Sequence, residues 1–77
     1  MADIILPKTD DEINESTITF WHLQEGDDVK KGDILVEIQT EKAVTEIEAE
    51  VDGTLEKINV KRGEVAKVGD VLGVIAT

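Results

Sequence analysis

"GDDVKKGDILVEI" (residues 26–38) and "GEVAKVGDVLGVI" (residues 63–75) are two copies of one pattern in a chain of 77 residues. The copies share two glycines, the acid after the second glycine, and two apolar positions. Their residue numbers differ by 37 throughout (63 minus 26, 75 minus 38), pairing Gly26 with Gly63, Gly32 with Gly69, Asp33 with Asp70, Leu35 with Leu72, and Ile38 with Ile75. The chain is therefore one unit used twice.

The hydrophobic period inside each copy is that of β-strands. "DILVEI" (33–38) and "DVLGVI" (70–75) are short β-branched runs, each introduced by a Gly-Asp turn signal. Between the copies, residues 45–52 alternate strictly, with Thr45, Ile47, Ala49 and Val51 on one face and Glu46, Glu48, Glu50 and Asp52 on the other. Since no segment carries a sustained helical stripe with caps, the sequence predicts an all-β fold.

The repeat also predicts how the strands assemble. A β unit of about 37 residues cannot bury the apolar face of its strands by itself. The two units are therefore expected to pack as a flattened β-barrel or sandwich with an internal pseudo-twofold axis. The expected domain is single and spans residues 1–77, with repeat halves of roughly 1–39 and 40–77. Trp21 is expected to pack in or against the core.

A break in the alternation recurs in both halves. Ile18 is followed by apolar residues three and five positions later, and Leu55 is followed in the same way. This spacing does not fit a period of two, so it predicts a β-bulge at one matching place in each half.

Composition excludes several classes of function. A formal net charge of -10 and a pI near 4.3 oppose binding to nucleic acid or anionic membranes. The chain has no cysteine, a single histidine (His22) and a single serine (Ser16), which leaves little for a catalytic or zinc site. "MADIILPK" has neither the basic start nor the apolar stretch of a signal peptide, so a cytoplasmic location is expected if the source is prokaryotic.

The acidic segment "KTDDEINES" (residues 8–16) invites comparison with a calcium loop. It lacks the regular ligand spacing and the turn glycine of such loops. A solvated acidic loop is the better interpretation.

Lys42 is the one cation in "IQTEKAVTEIEAEVDG" (residues 38–53), which also carries five carboxylates. It lies between the strand ending near Ile38 and the strand beginning near Val44, and therefore in a tight turn at a sheet edge. A turn lysine is usually only a soluble turn residue. A lysine projecting from a hairpin among acids is, however, unusually accessible to a modifying enzyme.

The stretch from residue 26 to residue 75 resembles the lipoyl domain of the acyltransferase components of 2-oxoacid dehydrogenase complexes. The resemblance rests on a Gly-Asp-x-Val-x-x-Gly turn, an acid-Lys-Ala turn at residues 41–43, an alternating strand and a following "DG". It implies two four-stranded antiparallel sheets, with lipoic acid covalently attached to Lys42 between Glu41 and Ala43.

The resemblance further implies a swinging-arm carrier, not a catalyst, that moves acyl groups and reducing equivalents between active sites. The implied partners are a lipoate-attaching ligase, a thiamine-diphosphate-dependent 2-oxoacid dehydrogenase, an acyltransferase core and a dihydrolipoyl dehydrogenase. The domain itself is expected to be monomeric, within a parent chain that is an acyltransferase. Glu41, Glu46 and Glu48 are candidates for recognising basic partners, although acids also keep an edge strand from aggregating.

Two other interpretations stay open from the sequence. A biotin carrier has the same fold, but its lysine normally lies between methionines, whereas Lys42 has Glu41 and Ala43 as neighbours. An unmodified interaction module could use the fold only as a scaffold.

The repeat predicts one further geometric feature. The pseudo-twofold axis relates the Lys42 turn to the region where the two chain ends meet. Ile5 and Ile75 are therefore expected side by side on adjacent strands, with Lys42 at the opposite end of the molecule.

Overall fold

The computed structural model describes residues 1–9 and 11–77, and the regular secondary structure in this part consists of β-strands. The eight strands are β1 (Ala2–Ile5), β2 (Glu15–Trp21), β3 (Asp28–Val29), β4 (Ile34–Gln39), β5 (Val44–Glu48), β6 (Gly53–Ile58), β7 (Val65–Lys67) and β8 (Val71–Ala76). The predicted acidic loop at residues 8–16 includes Asp10, which lies outside the described residues. That the loop is solvated and does not bind calcium therefore stays a prediction.

The strands form two four-stranded antiparallel sheets, which confirms the predicted fold class. One sheet has the order β1-β8-β6-β3 and the other β5-β4-β2-β7. Each sheet takes two strands from the first half of the chain and two from the second. The repeat units are therefore interlocked, and neither sheet corresponds to one half of the sequence.

The predicted bulges occur at matching places. The register shifts between Ile18 and Phe20 where β2 pairs with β4, and between Leu55 and Lys57 where β6 pairs with β8. A second pair of register shifts also matches. One lies between Ile34 and Val36 of β4, and the other lies between Val71 and Gly73 of β8, where β8 pairs with β1. The internal symmetry therefore extends to local irregularities of the ladder.

The edge strands β1 and β5 correspond to each other with a different offset. Thr45 pairs with Ile38, and Ala2 pairs with Ile75, the repeat partner of Ile38. Thr45 and Ala2 are thus equivalent, at an offset of 43 (45 minus 2). Ile5 and Ile75 lie on adjacent strands as expected, but Ile5 pairs with Val71, so they are not direct neighbours.

Four tight turns of one kind connect the strands. In each, a glycine with φ between 88° and 97° occupies the third position, as a type II turn requires. The carboxylate of the fourth residue accepts a hydrogen bond from the backbone N–H of the first, at 2.7–2.9 Å. The turns are residues 24–27, 30–33, 61–64 and 67–70, which form two pairs under the repeat.

The core fills the space between the sheets with aliphatic side chains from both halves. Its most completely buried members include Ile18, Leu35, Leu55 and Leu72, at 0–1% exposure. Trp21 packs against this cluster and its indole N–H donates to the carbonyl of Val60 at 2.8 Å, which confirms its predicted packing role.

The predicted alternation at residues 45–52 holds for burial but not for the strand boundary. Ala49 is buried and Glu46 and Glu48 are exposed, as expected. The strand itself ends at Glu48. Beyond it, the backbone of Ala49 bonds to Gly32 and Asp33, and the chain bends toward β6.

The Lys42 turn and the chain termini lie at opposite ends of the molecule. Gln39, at the end of β4, pairs with Thr17 of β2, and the start of β2 lies beside the turn that leads into β8. From that turn, the six residues of β8 run about 20 Å away from the Lys42 turn and end at Ala76, near Met1. The longest dimension of the molecule is 33 Å.

Candidate functional site

The turn that carries Lys42 joins β4 to β5 and is closed at its base by the Gln39–Val44 pair. Inside this pair, the N–H of Thr40 donates to the carbonyl of Ala43 at 2.9 Å. Glu41 and Lys42 therefore occupy the tip of a four-residue connection, and both are exposed.

The Thr40 hydroxyl holds the turn together. It accepts hydrogen bonds from the N–H groups of Lys42 at 3.3 Å and Ala43 at 3.2 Å, and it donates to the carbonyl of Ala43 at 3.3 Å. A threonine at the start of a turn is typical of this arrangement. The sequence contained this signal two residues before Lys42, but Thr40 was not predicted as part of the site.

Lys42 projects into solvent and meets an acid from a distant part of the chain. Its side chain is 55% exposed, and its Nζ lies 3.7 Å from Oε2 of Glu12, itself 84% exposed. An ion pair this exposed restrains the side chain only weakly. The amine is thus reachable by another molecule.

An open groove of about 670 Å³ lies beside the turn. The segment 12–17 lines it together with residues 39–41, and Val65 adds an apolar side chain that is 56% exposed. Glu12, Glu15 and Glu41 give the groove an acidic lining. This surface suits a partner that carries both cationic and apolar groups.

The three predicted recognition acids lie in two places. Glu41 lines the groove at the turn. Glu46 and Glu48 share the exposed face of β5, about 7 Å apart along the strand. Glu46 also lies opposite Glu37 of β4 and near His22. The spacing of these three residues in the sequence did not indicate that they cluster.

The described residues offer no evident catalytic arrangement. Ser16 is buried at 4% exposure, and the His22 imidazole lies 3.1 Å from the half-buried carboxylate of Glu37. In residues 1–9 and 11–77, no helix is long and apolar enough to cross a membrane. Lys42 combines an exposed side chain with a turn backbone that the Thr40 hydroxyl holds in place.

Residues 2–75 match the family model described as "Biotin-requiring enzyme". The chain is 42% identical over 72 residues to the dihydrolipoyllysine-residue succinyltransferase component of the 2-oxoglutarate dehydrogenase complex of Rickettsia felis, an alignment covering 94% of this chain and 18% of the relative. It is also 42% identical over 67 residues to the dihydrolipoyllysine-residue acetyltransferase component of the pyruvate dehydrogenase complex of Staphylococcus aureus, covering 87% and 16%. The chain thus spans less than a fifth of these relatives' length.

A solved structure matches over nearly its whole length. The lipoyl domain of the 2-oxoglutarate dehydrogenase complex from Azotobacter vinelandii superposes with a TM-score of 0.81 at 33% identity, covering 97% of this chain and 95% of that one. The similarity therefore extends over nearly the whole of both chains.

Proposed function

The chain belongs to the biotin/lipoyl family, and from this membership we propose that it is a lipoyl carrier domain with Lys42 as the attachment residue. One observation carries the proposal: an exposed lysine at the tip of a hydrogen-bonded turn, at the end of the molecule opposite both chain termini. The parent complex is proposed to be a 2-oxoacid dehydrogenase complex, the class named for both relatives.

The residues of the turn fit a covalently attached arm. The Lys42 amine is exposed, and Ala43 adds only a methyl group, so a modifying enzyme can approach the tip. Attached lipoic acid supplies a dithiolane that accepts an acyl group together with reducing equivalents. Thr40 fixes the backbone from which the arm extends. The rigid body thereby presents the arm at high effective concentration to one active site after another.

The position of the termini suits this transport. Any linker joined at Met1 or Thr77 leaves from the end opposite Lys42. It therefore stays clear of an active site that receives the arm.

The partners proposed on this basis are a lipoate-attaching ligase, a thiamine-diphosphate-dependent 2-oxoacid dehydrogenase, an acyltransferase core and a dihydrolipoyl dehydrogenase. Glu41, Glu46 and Glu48 are proposed to steer basic surfaces of these enzymes toward the turn. The domain is proposed to act as a monomer.

Replacing Lys42 with arginine tests the attachment site. Lys42→Arg keeps the charge and the exposed position, so the fold should persist, while arginine cannot form the amide. In a host with active lipoate ligase and added lipoic acid, we expect the wild type to gain the mass of one lipoyl group and the variant to gain none, as measured by intact mass spectrometry.

Lys31→Arg is the matched control, because Lys31 is also an exposed turn lysine. It should be lipoylated as fully as the wild type. Lipoylation that persists in Lys42→Arg would refute the assignment. Co-expression with a biotin ligase separates the related function, since a biotin carrier would gain the mass of biotin instead.

A further inference from the structure

The outward face of the sheet β5-β4-β2-β7 carries a row of three side chains of the types that ligate metals in proteins. Glu37 lies on the inner strand β4, and Glu46 is its direct partner on β5. His22 follows the end of β2, where its backbone N–H donates to the carbonyl of Leu35. The row therefore crosses β5 and β4 and reaches the residue that follows β2.

The donor atoms of this row already lie close together. His22 Nε2 is 3.1 Å from Glu37 Oε1. One ligand atom from each of His22, Glu37 and Glu46 can be chosen so that all lie within 4.8 Å of one another. Ligands of one tetrahedral zinc ion lie about 3.3 Å apart at bond lengths of about 2.0–2.2 Å. Since these side chains are at the surface, modest rotations about their χ angles would close the remaining gap.

We propose that His22, Glu37 and Glu46 form a binding site for a divalent transition-metal cation of the zinc class. The single histidine made a zinc site unexpected from the sequence, but the fold places two carboxylates beside it. A neutral imidazole with two carboxylates is a donor set that Zn²⁺ accepts, with water completing the coordination. The two carboxylates balance the charge of the ion. The imidazole favours Zn²⁺ over Mg²⁺ and Ca²⁺, which prefer oxygen ligands.

The fold constrains the row before any metal arrives. Phe20 packs its ring against the His22 imidazole edge to face, with centroids 5.0 Å apart and an interplanar angle of 84°. Glu37 and Glu46 are held opposite each other by the β4–β5 register. Ligands on β4, on β5 and directly after β2 would cross-link this side of the sheet, next to the Lys42 turn from which β5 leads.

The proposal does not depend on the carrier function, so it is tested on the unlipoylated chain with any affinity tag removed. Isothermal titration calorimetry with ZnCl₂ should show saturable binding of one ion per chain. In NMR spectra, the His22 ring and the amides of Glu37 and Glu46 should shift with the same titration. Mg²⁺ at equal concentration should not reproduce these shifts.

His22→Gln and Glu46→Gln each remove one ligand and should weaken Zn²⁺ binding more than about tenfold. A loss of about tenfold is already typical when a residue that only hydrogen-bonds to a ligand is replaced. Glu48→Gln is the control, because it makes the same charge change on the same exposed face of β5 and should leave the affinity within about twofold. Circular dichroism without metal checks that each variant is folded.

Two results would overturn the site. One is the absence of saturable binding by the wild-type chain. The other is a loss in Glu48→Gln as large as that in Glu46→Gln, which would mean diffuse attraction of Zn²⁺ to an acidic surface.

Discussion

At the scale of single residues, the side chain that shapes the candidate site is Thr40 and not Lys42. Lys42 is exposed and contributes little to the fold, whereas the Thr40 hydroxyl takes part in three hydrogen bonds within the turn. Each of these hydrogen bonds is long, at 3.2–3.3 Å, so the turn is stabilised by the three together and not by any one of them. The hydroxyl selects one backbone conformation for residues 40–43, and that conformation sets the direction of the Lys42 side chain.

Thr40→Val removes the hydroxyl and keeps the branched shape. We expect a loss of about 1 kcal/mol in the free energy of unfolding, because two backbone N–H groups lose their side-chain acceptor. We also expect slower lipoylation of Lys42, since the ligase would meet a less ordered turn. Thermal unfolding and a time course of intact mass measure the two effects.

Thr40→Ser supplies the control because it restores the hydroxyl without the methyl group. It should recover most of the lipoylation rate. A Thr40→Val chain modified as fast as the wild type would show that the ligase does not need the preformed turn.

At the scale of elements, the four glycine turns repeat one device. Asp27, Asp33, Glu64 and Asp70 each accept the N–H of the residue three positions earlier. Asp33 and Asp70 immediately precede β4 and β8, the inner strands that are equivalent under the repeat. A turn fixed in this way also fixes the register of the strand that follows it.

Asp33→Ala and Asp70→Ala should therefore have similar effects. Each removes one hydrogen bond to a backbone N–H, and we expect each to cost about 1 kcal/mol, a fall in Tm of about 4–8 °C for a domain of this size. The two turns share no partners, so the costs should add in the double variant. Urea unfolding of the single and double variants measures this.

Asp28→Ala is a suitable comparison, because Asp28 is an exposed aspartate outside these turns. It should change stability by less than about 0.5 kcal/mol. Strongly unequal costs for Asp33 and Asp70 would mean that the sequence repeat is not matched by an energetic one.

At the scale of the whole molecule, charge and shape have separate consequences. The elongated body separates the Lys42 turn from the termini, and the net charge of -10 extends over both sheets. A basic partner would be attracted by the whole surface and guided to the turn by the acids near it. Such steering acts on the association rate and is screened by salt.

The triple variant Glu41→Gln, Glu46→Gln and Glu48→Gln changes the net charge from -10 to -7. With metal ions chelated, we expect reductive acylation by a 2-oxoacid dehydrogenase partner to slow several-fold at low ionic strength. The loss should shrink above 0.1 M salt, where the Debye length is about 10 Å. Stopped-flow rates across a salt series measure the effect.

A second triple variant separates local steering from total charge. Asp3→Asn, Asp28→Asn and Glu56→Gln make the same change of three charges on the other sheet. This variant should slow the reaction less. Equal losses in both variants would assign the effect to net charge alone and remove the recognition role of Glu41, Glu46 and Glu48.

Local pattern in the sequence was sufficient for the features that depend on near neighbours. The alternation of residues 45–52, the Gly-Asp turns and the matched bulges follow from side-chain period and from the φ that glycine permits, both of which act over a few residues. The repeat then supplied the symmetry and placed Lys42 in a turn. These properties need no knowledge of which strands become neighbours.

The tertiary structure decided everything that joins distant segments. Glu12 meets Lys42 across 30 residues (42 minus 12), and His22 meets Glu37 and Glu46 only because β2, β4 and β5 lie side by side. The repeat offset of 37 did not predict the correspondence of β5 with β1, because more residues separate β1 from β2 than separate β5 from β6, which changes the offset to 43. Strand order and register arise from burying one shared core, and a shared core is a property of the whole chain.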